Sequence, residues 1–260
     1  MTTRLGILAS WSAQGGLPAH VAVHLAGLRA VCDRLVLVSN APLGRDLTQA
    51  RSLCDQVLER ANSGFDFAAW RDALATQDAG FDEILLTNSG LIGPLHPLPD
   101  ILETMRDRQC DFWGMTQNPE ISLHLQSYFQ VFRAPLIRSD TWRQFWANVG
   151  DAGDKRSAIR AYEAPMTRLF TGAGFRADSL IPARRVPGAP LLFWKSLLGL
   201  PVPVPASRAN PTIAAPLALI RAGMPYLKTS LLWGEAQRAL PLDQIKSAST
   251  ADFPWDRIGL

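Results

Sequence analysis

Arg34-Leu35-Val36-Leu37-Val38-Ser39-Asn40-Ala41-Pro42 is an unbroken aliphatic run closed by a turn signal. Four consecutive aliphatic residues suit a strand buried on both faces, the signature of a sheet covered by helices. Upstream, Pro18 to Val31 carries Val21, Leu25 and Leu28 at helical spacing, with Pro18 suited to a first-turn position. Before it, Leu5 to Ser10 is a second buried run. Downstream, Leu47 to Leu53 reads as a helix, Gln56 to Glu59 as a short strand and Asp66 to Gln77 as a helix after an Asn-Ser-Gly turn. Glu83 to Thr87 is the third buried strand, and Leu98 to Arg108 another helix. Strands alternating with helices imply a mostly parallel sheet in three layers. Ligands on such sheets bind outside the strands' carboxyl ends, which here carry Ser10-Trp11-Ser12, Ser39-Asn40 and Asn88-Ser89-Gly90.

The second half has a different texture. His124 to Phe132 predicts one strand, with His124, Gln126, Tyr128 and Gln130 on a polar face and Leu125, Ser127, Phe129 and Val131 opposite. Ser139 to Val149, Tyr162 to Thr171 and Ala214 to Ala222 read as helices, and the chain beyond Pro182 is rich in proline. The expected organisation is an α/β core over residues 1–182 and a proline-rich extension over 183–260 that packs on it as part of the same domain.

Composition removes several function classes. The 260 residues are 47% hydrophobic and 19% charged, the balance of a folded protein. Net charge is +3, with lysines and arginines spread along the chain rather than gathered in the dense stripe that nucleic acid requires. Such a surface suits a nucleotide diphosphate or an anionic membrane face. Cys32, Cys54 and Cys110 have no metal-ligand spacing and are too few for a disulfide framework, so a reduced cytoplasmic protein is expected. No signal-peptide pattern and no apolar run of about 18 residues is present, so no membrane span is expected. His20 and His24 share a helix face, yet Val21 stands where a zinc-protease motif needs glutamate.

Three segments mix aromatic, small and polar residues in a way that a core alone does not require. They are Asn62-Ser63-Gly64-Phe65-Asp66-Phe67-Ala68-Ala69-Trp70, Asp111-Phe112-Trp113-Gly114-Met115-Thr116 and His124-Leu125-Gln126-Ser127-Tyr128-Phe129. Gly64 gives the first its turn, and Asp66 can cap the helix that follows. Asp111 reads either as part of a buried edge strand or as an acceptor for a sugar hydroxyl. Trp113 reads as core or as a stacking surface, because sugar rings have apolar faces. His124 reads as structural, as a hydroxyl ligand or as a general acid/base, since imidazole titrates near neutrality. Glu163, ahead of a helix, reads as a carboxylate complementing the helix dipole or as a base. Lys228 reads as a solvated lysine or a diphosphate partner.

These blocks, in this order between about residues 5 and 232, resemble rhamnan synthesis protein F and related bacterial polysaccharide glycosyltransferases. The resemblance implies an α/β, GT-A-like three-layer sandwich with a mostly parallel central sheet. It implies donor binding by Ser10, Asn62, Gly64, Asp66, Trp70, Asn88, Ser89 and Lys228, and sugar or acceptor binding by Trp113, Gln126 and Tyr128. It implies catalysis by Glu163, with Asp111 and His124 as further catalytic candidates. The sequence departs from the family at Ala68, where glycine is common, and at Ser89, where an acid is usual. Many GT-A enzymes bind Mg or Mn through Asp-x-Asp at the position of the Asn88 loop; no metal residue is assigned, and diphosphate charge falls to cations and backbone amides. The implied activity is transfer of a sugar, rhamnose by resemblance, from a nucleotide-sugar donor to a glycan or lipid-linked glycan, by inverting displacement. The implied setting is the cytoplasm, with peripheral contact at the inner membrane. The alternative is a noncatalytic carbohydrate-binding or assembly module on a degenerate transferase scaffold.

Overall fold

Strand β1 (Arg4–Ser10) lies between β2 (Arg34–Ser39) and β4 (Glu83–Asn88), parallel to both, and β2 pairs in parallel with β3 (Gln56–Glu59). A computed structural model describes residues 2–78, 80–119, 122–182, 210–233, 240–250 and 252–260. Beyond β4 the sheet continues through β8 (Phe129–Arg133), antiparallel to its neighbours, and then β6 (Phe112–Asn118). The two-residue β7 (His124–Leu125) pairs antiparallel to β6, and β9 (Ala177–Ile181) pairs with β6 in parallel. The strand order is β3-β2-β1-β4-β8-β6-β7, with β9 branching from β6. A separate ribbon joins β5 (Leu91–Ile92) to β10 (Leu227–Lys228).

Two apolar layers explain why the aliphatic runs are unbroken. On one face, Leu8, Leu35, Leu37, Leu85 and Val131 pack under helices α1 (Ala19–Arg29) and α4 (Leu98–Arg106). On the other, Leu5, Ile7, Val36, Val38, Leu86 and Phe132 meet α3 (Phe65–Leu74) and an aromatic layer of Trp142, Phe145, Trp146 and Phe170. The architecture is mixed α/β, a layered sandwich around a large, mostly parallel sheet. Residues 183–209 of the proline-rich segment lie outside the described residues. Its described remainder contributes Leu219, Ile220, Met224, Tyr226, Ile245 and Ile258 to the first of these layers.

Several boundaries move, each for a local reason. The expected strand over His124 to Phe132 is broken by a turn at Ser127 and Tyr128 into β7 and β8. The expected helix over Ala214 to Ala222 is two, Pro211–Ala214 and Pro216–Arg221, because Pro216 lacks the amide that would continue the first. The helix expected from Tyr162 belongs to a longer helical run: α7 (Lys155–Ala158), a π-helical turn (Ile159–Glu163) and α8 (Ala164–Gly172). Pro165 removes one amide from this run, and the Ala164 amide reaches back five residues to the Ile159 carbonyl.

Candidate active site

The parallel register sets Ser10 beside Ser39 and Asn88 beside Ala9, so the carboxyl ends of β1, β2 and β4 share one edge. The loop after β4 is tied down on several sides. Asn88 Nδ2 donates to Asp66 Oδ2 at 2.8 Å, and the Gly90 amide donates to Asn88 Oδ1 at 3.1 Å. The Trp11 amide donates to Ser89 Oγ at 3.3 Å, and His20 Nε2 meets the Ser89 carbonyl at 2.9 Å. Asp66 therefore works in the first turn of α3 as a partner of Asn88; it does not cap the helix, whose N-cap is Gly64. Gly64 has φ +69°, and a Cβ there would lie 2.5 Å from that of Ala68. The Ala68 methyl is accordingly fully buried.

Asn62 is exposed at the tip of its turn. Arg60 fastens that turn to the end of β2 by donating to Asn40 Oδ1 at 3.1 Å and to the Ser63 carbonyl at 2.8 Å. This linkage was not anticipated from the sequence; a lone arginine before a turn carries no pattern.

Beside the Asn88 loop lies a buried polar cluster. Thr87 pairs with Phe129 across β4 and β8, and the Thr87 hydroxyl donates to the Tyr128 carbonyl at 2.8 Å. The turn that breaks the expected strand folds Ser127 toward Glu163: its amide donates to Oε2 at 3.3 Å, and its hydroxyl donates to the same oxygen. His124 Nε2 lies 3.2 Å from Glu163 Oε1, while His124 Nδ1 lies 2.6 Å from the Ser122 carbonyl. The Leu125 amide donates to Thr167 Oγ1 at 3.0 Å and clamps β7 to α8. Below them, Thr116 donates to Gln126 Oε1 at 2.8 Å and lies 2.7 Å from the Tyr128 hydroxyl. Lys228 Nζ stands 4.9 Å from the centre of the Tyr128 ring, and β10 brings it level with Leu91.

Glu163 is the electrostatic centre of this cluster. Burial, the largest single influence, pushes its carboxyl up. The His124 hydrogen bond and charge, the Ser127 hydroxyl and the Lys228 charge together outweigh it and hold the group below the usual carboxylate range. Glu163 is also no free helix end. It sits inside a continuous helical run, so complementing an N-terminal dipole does not explain it.

The structure brings Asp66, Asn88, Ser89, Tyr128, Gln126, His124, Glu163 and Lys228 to this edge through these contacts, and it corrects the readings of Asp111, Trp113, Trp70, Gln126 and Tyr128. Asp111 aligns with Arg133 and Glu83 at the amino end of β4, five residues or about 16 Å of strand from Asn88. There it accepts from the Arg176 amide at 2.7 Å, which joins β6 to β9. Trp113 has no exposed surface and belongs to the core, so it has no face for a sugar. Trp70 is equally buried and donates from Nε1 to the Thr87 carbonyl at 3.0 Å, supporting β4 from beneath. Gln126 and Tyr128 are buried floor residues rather than open contact surfaces.

Among the described residues no group of three or more His, Cys, Asp or Glu side chains is placed to hold a metal ion. At the Asn88 loop the donor set is one carboxylate and an amide already engaged at both ends. That set does not fit a divalent-cation cage of several oxygens. No helix among the described residues is long and apolar enough to cross a membrane.

The sequence profile of the family described as rhamnan synthesis protein F matches residues 35–258. Virulence protein VirA of Vibrio anguillarum is 27% identical over 206 residues, covering 73% of this chain and 65% of that protein. An uncharacterized protein, y4gN, of Sinorhizobium fredii is 29% identical over 154 residues, covering 56% of this chain and 40% of its own length. The chain thus spans about two fifths to two thirds of the length of these relatives. Among solved structures, a mannosyltransferase from Pyrobaculum calidifontis in complex with GDP-Man and Mn2+ aligns with a TM-score of 0.47 at 13% identity, over 95% of this chain and 79% of that one.

Proposed function

The chain belongs to the rhamnan synthesis protein F family, and on that premise we propose that it moves a sugar from a nucleotide-activated donor to a glycan acceptor, with Glu163 as the base. The observation that carries this reading is a buried carboxylate, held charged by His124, Ser127 and Lys228, beside the loop where a sheet of this kind receives its ligand. An acceptor hydroxyl is a poor nucleophile until its proton has somewhere to go. In the proposed step that proton passes to Glu163. The hydroxyl oxygen forms the new bond to the anomeric carbon, and the carbon–oxygen bond to the diphosphate breaks with its electron pair on the leaving group. Attack opposite the leaving group inverts the anomeric centre. Lys228 is the candidate for leaving-group charge, and no step is routed through a metal.

The finer assignments are rhamnose as the sugar and a cell-surface polysaccharide, free or lipid-linked, as the acceptor; family membership supports them. A cytoplasmic protein in peripheral contact with the inner membrane belongs to the same reading. Donor contacts are assigned to Ser10, Asn62, Gly64, Asp66, Asn88, Ser89 and Lys228. The test is a panel of nucleotide sugars, scored first by thermal shift and then by product formation with glycan acceptors. One donor that raises Tm and is turned over supports the proposal. If every donor leaves Tm unchanged at millimolar concentration, the proposal falls. The spare carboxylate content of the Asn88 loop favours a second reading, a noncatalytic carbohydrate-binding module. A glycan that binds tightly, with neither transfer nor donor hydrolysis, selects it.

A further inference from the structure

The proton count of the His124–Glu163 pair is fixed by what surrounds it. Ser122 presents a carbonyl oxygen to His124 Nδ1 at 2.6 Å, and a carbonyl can only accept. Nδ1 therefore carries a hydrogen. The other nitrogen, Nε2, faces Glu163 Oε1 at 3.2 Å. A bare Nε2 against a carboxylate oxygen would set two lone pairs against each other, so one more proton lies between them. It resides either on the imidazole or on the carboxyl. The Ser127 amide and hydroxyl both donate to Oε2, and the Lys228 charge acts on the same group; all three favour the carboxylate form. Among the described residues, the charged and titratable groups set against the pair from neighbouring elements are Lys228 on β10 and Tyr128 in the turn. The His124 side chain is 1% exposed, so water is not a ready replacement for Glu163.

We infer that His124 is a positioning residue held as an imidazolium, which keeps Glu163 ionised and oriented and does not itself exchange a proton with the acceptor. Its importance for transfer rests on the reading of Glu163 as base; its protonation state does not. Ser122 and Glu163 act as the two ends of a cradle.

The test uses the full chain with 15N-labelled histidine. The four histidines are His20, His24, His96 and His124, and the His124 signals are identified by their loss in His124→Gln. If that variant does not fold, they are identified as the signals that move in Glu163→Gln. At pH 7 both His124 ring nitrogens are expected to be protonated. In Glu163→Gln the ring is expected to become neutral, keeping the proton on Nδ1. A bare Nε2 in the unaltered protein overturns the inference. Turnover gives a second readout. Glutamine at position 124 can donate to Oε1 but carries no charge, so the acid limb of the pH–rate profile should move to higher pH while KM for the donor stays constant. An unmoved limb also overturns the positioning role. If Glu163→Gln retains full turnover, the base assignment fails by itself, and the nitrogen spectrum still decides the state of His124.

Discussion

Two carboxylates sit at opposite edges of the same sheet with nearly equal side-chain exposure, 13% for Glu83 and 14% for Glu163. At the amino edge, Glu83 is met by Arg4 Nε at 2.8 Å and by Arg133 Nε at 3.4 Å. At the carboxyl edge, Glu163 is met by an imidazole and a serine. Arginine stays charged throughout the accessible pH range, and its pairs with Glu83 staple β1, β4 and β8 together. Glu163 has no arginine partner; a histidine, a serine and the Lys228 charge hold it instead. Burial alone does not separate a structural carboxylate from a candidate base; the chemistry of its partners does.

The largest effect expected from this contrast is on turnover. Glu163→Gln keeps the shape of the side chain and removes the proton acceptor, so turnover should fall about 10²–10⁴-fold with donor affinity unchanged. Single-turnover rates with donor titrations check this, and near-normal turnover would break the contrast. Glu83→Ala should behave in the opposite way. It strands Arg4 and Arg133 against each other and should lower stability by about 3–5 kcal/mol, measured by denaturant unfolding. Turnover per folded molecule should be preserved.

A smaller effect is expected from metal removal. Because the Asn88 loop offers a single carboxylate, donor affinity with and without chelator should differ by less than about tenfold, or roughly 1.4 kcal/mol. A larger loss would mean that other oxygens complete a cation site.

The smallest effect is a pH dependence. The folded-state pKa of Glu163 lies below its unfolded value of about 4.3. Its contribution to stability is therefore fully present above that value and is lost as pH falls through the folded one. The Tm advantage of the unaltered protein over Glu163→Gln should shrink between pH 6 and pH 3. An advantage that grows on acidification would reverse the assigned direction.

The parts of the fold that depend on two-sided burial were legible in the sequence. Leu5 to Ser10, Arg34 to Ser39 and Glu83 to Thr87 read as strands because helices cover both faces and force aliphatic residues onto each. Strand β9 was missed because Ala177-Asp178-Ser179-Leu180-Ile181 has too few apolar residues for the pattern, and its place comes from pairing with β6. Strands β5 and β10 are two residues each, too short for any period. In the candidate site, Glu163, His124 and Asn88 were visible as chemistry. The role of Ser127 was hidden, because strict alternation puts it on the face opposite His124. A turn at Ser127 and Tyr128 sends both toward Glu163, and nothing local to the sequence encodes that meeting.

The π-helical turn over Ile159–Glu163 makes the bearing of Glu163 depend on chain length as well as side-chain identity. Each residue of an α-helix turns the chain by about 100°. A π-helical turn takes up one residue more than an α-helical turn, so deleting Ala161 would let the run close to ordinary α-helix while α8 keeps its bearing to α7. In a run already α-helical throughout, the same deletion would turn the carboxylate away by about 100°. The extra residue in this turn therefore gives the bearing of Glu163 a one-codon margin that a plain α-helix would lack.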